Sequence, residues 1–227
     1  MDGLAADRDV IVFDYPGIGR STGTTADSVD ELALDCIELL RALNLTTVDI
    51  LGVSPGGMVA QQIASTHPEL VRRIILCGTG PRGGENMTFT ELSIDELSDP
   101  EGLLLYSFFT PSDTGQAAGR EYLARLASRA ADRDTPVSMS PAAAQLRTIR
   151  QWGEIPNNGR YAMLEAIAHP TLIVYGNHDI GVDPINATIL GLRLPDTVLL
   201  MLPDSSHGAQ SQWAELFLAN ARWFLNR

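Results

Sequence analysis

The chain has 227 residues, enough for one large domain or for one domain carrying a sizeable insertion. With 44% hydrophobic and 19% charged residues it can bury a core and does not have the composition of a disordered chain. All 16 basic residues are Arg and the net charge is −12, an acidic balance that disfavours nucleic acid and anionic membranes as partners, both being polyanions.

The elements follow in chain order. Asp9 to Asp14 (DVIVFD) reads as a short apolar strand. Ser28-Val29-Asp30-Glu31 is a capping box that opens a helix with Val29, Leu32, Ala33, Cys36, Leu39, Leu40 and Leu43 at helical spacing. Thr47 to Gly52 is a second strand, Pro55 to His67 a second helix stopped by Pro68, and Arg73 to Cys77 a third strand. From Pro81 to His169 no strand pattern occurs. Helical segments are expected there around 101–109, 114–133, 140–153 and 158–168, punctuated by Pro111, Pro136, Pro141 and Pro156. Strands return at Thr171 to Tyr175 and Thr197 to Leu202, and Gln210 to Asn226 forms a last helix with Trp213, Leu216, Phe217 and Phe224 on its apolar side. Near-continuous apolar strands alternating with helices predict an α/β fold with a mostly parallel sheet covered on both faces. The division predicted is a core of residues 1–80 and 170–227 with a helical insertion over 81–169.

The N-terminus has no basic n-region and no apolar h-region, so no signal peptide is expected, and no apolar run approaches the roughly 18 residues that span a bilayer. A cytoplasmic protein is the resulting expectation. Cys36, on a helix face, and Cys77, at a strand end, read as buried free thiols of a reduced compartment.

The chemistry concentrates in three loops. Gly52-Val53-Ser54-Pro55-Gly56 matches G-x-S-x-G between a predicted strand and a predicted helix, the context of a nucleophile elbow. A serine projected above a sheet needs small residues around it so that the turn closes, and Gly52, Gly56 and Gly57 supply them. Its hydroxyl also needs a base. His207 lies in the loop after the last strand, at the carboxyl edge where the elbow opens. His67, His169 and His178 sit beside helix ends or within loops and are weaker candidates. The acid that orients the imidazole is expected at Asp179, directly after a strand, with Asp183 as the alternative; Asp204 stands too near His207 in sequence and suits a turn cap. No metal-ligand spacing occurs, and the GIG turn at 17–19 lacks dinucleotide-binding spacing.

Asp14-Tyr15-Pro16-Gly17-Ile18-Gly19-Arg20-Ser21 resembles the D-x-x-G-x-G-x-S turn of many α/β-hydrolases, and Ser54, Asp179 and His207 fall on that family's nucleophile, acid and base positions, in its chain order. The resemblance covers nearly the whole chain. It implies a cofactor-free serine hydrolase of a small or apolar carboxylic ester or related acyl compound, with 81–169 as a cap over the site. It does not reach a substrate, since the family spans esterases, lipases, C–C hydrolases and cofactor-free peroxidases; its dehalogenases and epoxide hydrolases use an aspartate nucleophile. The cap segment Leu103, Leu104, Leu105, Tyr106, Phe108 and Phe109 fits an apolar substrate, and equally fits packing of the cap on the core.

The chain departs from the family pattern twice. The family normally has further N-terminal strands, one lying between the strands here at 9–14 and 47–52 and ending in an oxyanion loop. Without it, backbone groups in mid-sheet lack partners, unless the sheet re-pairs, another chain covers them through self-association, or the natural protein is longer. The second departure is Pro55, which follows the nucleophile where a backbone N–H normally serves the oxyanion. Proline has none, although it suits the first turn of a helix. Both departures raise an alternative: a catalytically weak scaffold of this family that binds a ligand or partner.

Overall fold

The computed structural model describes residues 2–87, 99–129, 131 and 139–227. Four parallel strands, β1 (Val48–Val53), β2 (Val71–Cys77), β3 (Thr171–Gly176) and β4 (Thr197–Leu202), lie side by side in that order. The helices are α1 (Asp2–Ala5), α2 (Val29–Ala42), α3 (Pro55–Thr66), α4 (Pro100–Phe108), α5 (Asp113–Ser128), α6 (Met139–Gly153), α7 (Ile185–Arg193), α8 (Ala209–Gln212) and α9 (Ala214–Asn226). The architecture is the α/β arrangement expected.

Strand alternation builds two cores, one per sheet face. Ile74, Leu76, Ile173 and Tyr175 pack with α2, α3 and α7 residues such as Ile37, Met58, Ile63 and Leu190. Ile75, Cys77, Leu172 and Val174 pack on the opposite face with Leu4, Phe217, Ala221 and Phe224. Both faces being covered, the strands carry apolar residues at successive positions, as a buried parallel sheet requires. Register sets Val53 beside Cys77, Cys77 beside Val174, and Gly176 beside Leu202. The carboxyl ends of all four strands therefore share one edge, and the loops that follow them meet there.

The Ser28 half of the capping box forms: its hydroxyl accepts the Glu31 N–H at 3.2 Å at the start of α2. The thiols of Cys36 and Cys77 are both buried and not disulfide-bonded. Among the described residues, no helix is long and apolar enough to cross a membrane.

The expected strand at Asp9–Asp14 does not form. This segment enters no ladder, and Ile11, Val12 and Phe13 are 49%, 71% and 41% exposed. A strand exists only where a neighbour takes its backbone hydrogen bonds. The strand it faces, β1, pairs with β2 alone, and a cavity of about 430 Å³ separates the two, lined by Val10, Ile11, Phe13, Leu39, Leu40 and Ile50 among others. The sheet does not re-pair to fill that space, and Leu43 at the end of α2 is exposed rather than buried.

Between β2 and β3, the expected helices at 101–109 and 140–153 appear as α4 and α6. The one expected over 114–133 is α5, ending at Ser128; residues 88–98, 130 and 132–138 lie outside the described residues. The helix expected over 158–168 is instead a single 3₁₀ turn, Ala162–Ala166, entered through Tyr161 at φ 67° and preceded by Gly159 at φ 107°. Two left-handed residues two positions apart cannot continue an α-helix. The last helix is broken at Trp213 (φ −106°, ψ 43°), whose indole N–H donates to the Pro203 carbonyl at 3.0 Å.

Candidate active site

Ser54 sits between β1 and α3 at φ 53°, ψ −120°. A non-glycine residue there carries strain of about 1–3 kcal/mol, which the surroundings must impose. They do so through hydrogen bonds from the Ser54 N–H to the Cys77 carbonyl (2.9 Å) and from the Gly57 N–H to the Ser54 carbonyl (2.9 Å). A Cβ on Gly52 would lie 2.3 Å from the Gly56 carbonyl oxygen, so strand and helix close only over glycine. A Cβ on Gly57 would lie 2.4 Å from Thr79 Cγ2, whereas one on Gly56 would meet nothing within 4 Å. Gly57, rather than Gly56, is the small residue that the downstream side of the turn requires. Pro55 occupies the first position of α3, as expected, and brings no N–H.

His207 and Asp179 come together. The imidazole Nδ1 is 2.9 Å from Asp179 Oδ2 and 3.1 Å from Oδ1, with the residues 2% and 5% exposed. The Gly181 and Val182 N–H groups donate to Asp179 Oδ1 at 2.9 and 3.0 Å, so the acid is fixed by its own loop as well as by the imidazole. Asp183 is occupied otherwise: Oδ1 accepts the Ile185 N–H at the start of α7 (2.9 Å) and Oδ2 accepts from the Asn86 amide (2.9 Å). Of the two carboxylates, Asp179 is the one that contacts His207.

The end of β2 connects this pair to the elbow. Cys77 holds the Ser54 N–H, and the next residue, Gly78, lies against the pair. At φ 52°, a Cβ on Gly78 would stand 3.1 Å from His207 Nδ1 and 3.2 Å from Asp179 Oδ2. Beyond Gly78 the backbone is tied down by buried donors. The Tyr175 hydroxyl donates to the Thr79 carbonyl (2.6 Å), and both the Trp152 indole and the Gln61 amide donate to the Gly80 carbonyl (3.0 and 3.1 Å). Burial, and then the nearby Asp179 and Asp183 charges, push the Tyr175 hydroxyl well above the usual tyrosine range, so it stays a neutral donor. Burial pushes the Cys77 thiol up to about 12, which removes this neighbouring sulfur as a nucleophile at neutral pH.

Two of the other three histidines make contacts elsewhere. His67 Nδ1 lies 3.1 Å from the Thr66 hydroxyl, and His169 Nε2 lies 3.0 Å from the Pro68 carbonyl. Asp204, expected as a turn cap, does more. At φ 44°, it accepts from the Thr110 and Ser112 hydroxyls, each at 2.8 Å, and so ties the His207 loop to the segment between α4 and α5. Those two hydrogen bonds, Thr110 first, hold its carboxyl below the usual range. Sequence reasoning missed this link, and missed Gly78 and Ser206, because each depends on contacts between loops far apart in the chain. The left-handed Gly78 directly after a strand was the one local signal available.

A parallel α/β sheet with a strained serine at the strand-to-helix turn after β1, and an Asp–His pair at the same edge, resembles the arrangement expected of hydrolases on such folds. The chain belongs to the alpha/beta hydrolase fold family, whose model matches residues 1–212. An alpha/beta hydrolase fold protein from Chitinophaga pinensis superposes with a TM-score of 0.92 at 35% identity, over 98% of this chain and 81% of that one. A pimeloyl-[acyl-carrier protein] methyl ester esterase of Chromobacterium violaceum is 28% identical over 213 residues, 90% of this chain and 78% of that protein. The human serine hydrolase BPHL is 24% identical over 221 residues, 95% of this chain and 69% of that protein. One shorter match, 36% identical, runs over 74 residues and covers 28% of its relative. The protein is an enzyme of the hydrolase type.

Proposed function

We propose that this hydrolase acts on a small or apolar carboxylic ester, or a related acyl compound, through Ser54 as nucleophile, His207 as base and Asp179 as the acid that orients it. The observation that carries the reading is the buried His207–Asp179 pair lying against Gly78, one residue from the carbonyl that binds the Ser54 amide. Ser54 Oγ attacks the acyl carbon while the imidazole takes its proton through Nε2, Nδ1 being turned to Asp179. Collapse of the tetrahedral adduct breaks the ester C–O bond, and His207 returns the proton to the leaving alkoxide. Water, activated by the same imidazole, then releases the acid and restores the serine. Residues 81–169 serve as the cap. Phe108 presents its ring edge-on to the His207 imidazole at a centroid distance of 5.2 Å, which supports an apolar wall beside the base. The methyl ester esterase among the relatives supports the ester class.

One observation favours weaker catalysis on the same scaffold: Pro55 offers no N–H to the oxyanion. A single such donor is worth about 10²–10³ in rate. Labelling with a fluorophosphonate, read by intact mass on wild type, Ser54→Ala and His207→Ala, separates the two readings. One adduct on the wild type, lost in both variants, is the expected result. A folded wild type that takes no adduct overturns the hydrolytic assignment of these residues and leaves a binding scaffold.

A further inference from the structure

We infer that Ser206 is a positioning residue that latches the base to helix α4, so that the insertion sets the geometry of His207. The inference rests on the reading of His207 as the base. Helix α4 ends at Phe108 and its closing hydrogen bond runs from the Phe109 N–H to the Leu105 carbonyl, so the Ser107 and Phe108 carbonyls lie past the helix's own donors. They are not left to water. The Ser206 hydroxyl donates to the Ser107 carbonyl at 2.7 Å, the His207 N–H donates to that same oxygen at 3.3 Å, and the Gly208 N–H donates to the Phe108 carbonyl at 2.9 Å. Three consecutive residues of the base loop thus close the C-terminus of one helix.

Ser206 joins a third segment as well. Its Oγ accepts the Ile180 N–H at 3.4 Å, and Ile180 directly follows the acid Asp179. One buried hydroxyl therefore stands where the base loop, the acid loop and α4 meet. Phe108, the residue that supplies the last carbonyl, also places its ring against the imidazole. The approach is close: a Cβ on Gly208 would lie 2.8 Å from the Phe108 carbonyl oxygen, and one on Gly176 would lie 2.3 Å from the Ser205 and Ser206 carbonyl oxygens. A loop packed this tightly has no slack to absorb a lost tether. Removing the hydroxyl leaves the Ser107 carbonyl with only the long His207 contact and frees the imidazole to rotate away from its productive angle. A displacement of this kind lowers the rate of the chemical step and not the binding of the reagent.

The test combines two measurements on Ser206→Ala, Ser206→Cys and Ser206→Thr. In saturating fluorophosphonate labelling, Ser206→Ala lowers the maximal labelling rate about tenfold, the loss of one buried hydrogen bond, with the half-saturating concentration unchanged. Ser206→Cys, nearly the same shape but a poor donor, behaves like the alanine variant and stands in for it should that variant not fold. Ser206→Thr, which keeps the hydroxyl, recovers most of the rate; a merely structural defect would not follow the hydroxyl in this way. In hydrogen exchange, the His207 and Gly208 amides are protected in the wild type and lose protection together in Ser206→Ala. Wild-type labelling kinetics, or unchanged exchange at both amides, in Ser206→Ala overturns the latch. A wild type that takes no label fails the base assignment instead, and the exchange measurement then decides the latch alone.

Discussion

Gly78→Ala is the substitution that most directly probes how the site is assembled. The residue adopts φ 52°, where an alanine costs about 1–2 kcal/mol relative to glycine. The new methyl group would also stand 3.1 Å from His207 Nδ1 and 3.2 Å from Asp179 Oδ2, tighter than ordinary van der Waals contact, so the imidazole and carboxylate must each give by a few tenths of an ångström. The backbone cost lowers the melting midpoint by about 2–8 °C at about 2–4 °C per kcal/mol in a chain of this length. The displacement of the pair is a separate effect, and it lowers the fluorophosphonate labelling rate ten- to a hundredfold, by about the sensitivity expected of a misplaced catalytic group. Two further variants separate the contributions. Gly78→Asn tolerates the left-handed conformation better and so regains part of the stability, but its Cβ meets the same two atoms and the labelling rate stays low. Gly159→Ala, at φ 107° with nothing within 4 Å of its Cβ, carries backbone strain alone and labels at the wild-type rate. Gly78→Ala labelling as fast as wild type would refute the placement of the His207–Asp179 pair against β2.

Three other outcomes follow from the same geometry. Pro55→Ala restores an N–H at the residue after the nucleophile and raises the fluorophosphonate labelling rate at least tenfold, part of the about 10²–10³ that such a donor supplies; an unchanged rate would mean that the oxyanion is served elsewhere. Thr79 Oγ1 is buried with no hydrogen-bond partner among the described residues, so Thr79→Val, which keeps the shape and removes the orphan hydroxyl, raises stability by about 1 kcal/mol in chemical denaturation. Asp204 is held below its ordinary value of 3.8 by the Thr110 and Ser112 hydroxyls. Its contribution is therefore fully present above that pH and is lost as pH falls through the lower folded-state value. Thermal melts from pH 6 down to pH 2 show an acid limb that flattens in Asp204→Asn, and an identical limb in both proteins would remove Asp204 from the acid response.

Much of this was legible in the sequence because it depends on local rules. The four strands of the sheet are apolar runs bounded by Gly, Pro or Asp, and the capping box at Ser28 marks its helix start to the residue. The elbow is visible because a strand, a glycine-flanked serine and a helix-starting proline follow one another within a few residues. The strand at 9–14 misleads for the opposite reason. Its side chains have strand character, but a ladder requires a neighbour, and that is a property of the sheet and not of the segment. Asp179 is favoured over Asp183 in the sequence because it directly follows a strand, but both lie in one loop, and only the fold shows that Asp179 turns toward His207 while Asp183 caps α7.

The position of Gly78 also explains why the chemistry gathers at this edge and not along the helices. Each site residue stands on the loop after a different strand: Ser54 after β1, Asp179 after β3 and His207 after β4. The start of the loop after β2 acts through its backbone. It contributes a carbonyl at Cys77, which fixes the strained serine, and the absence of a side chain at Gly78, which lets the Asp–His pair approach. Strands whose carboxyl ends share one edge bring the loops that follow them near one another, and the loop after β2, between those after β1 and β3, is small where the Asp–His pair approaches. The same demand accounts for the donors behind it. Tyr175, Trp152 and Gln61 satisfy the carbonyls of Thr79 and Gly80, so a glycine-rich segment that would otherwise be free to shift is held where the pair needs it.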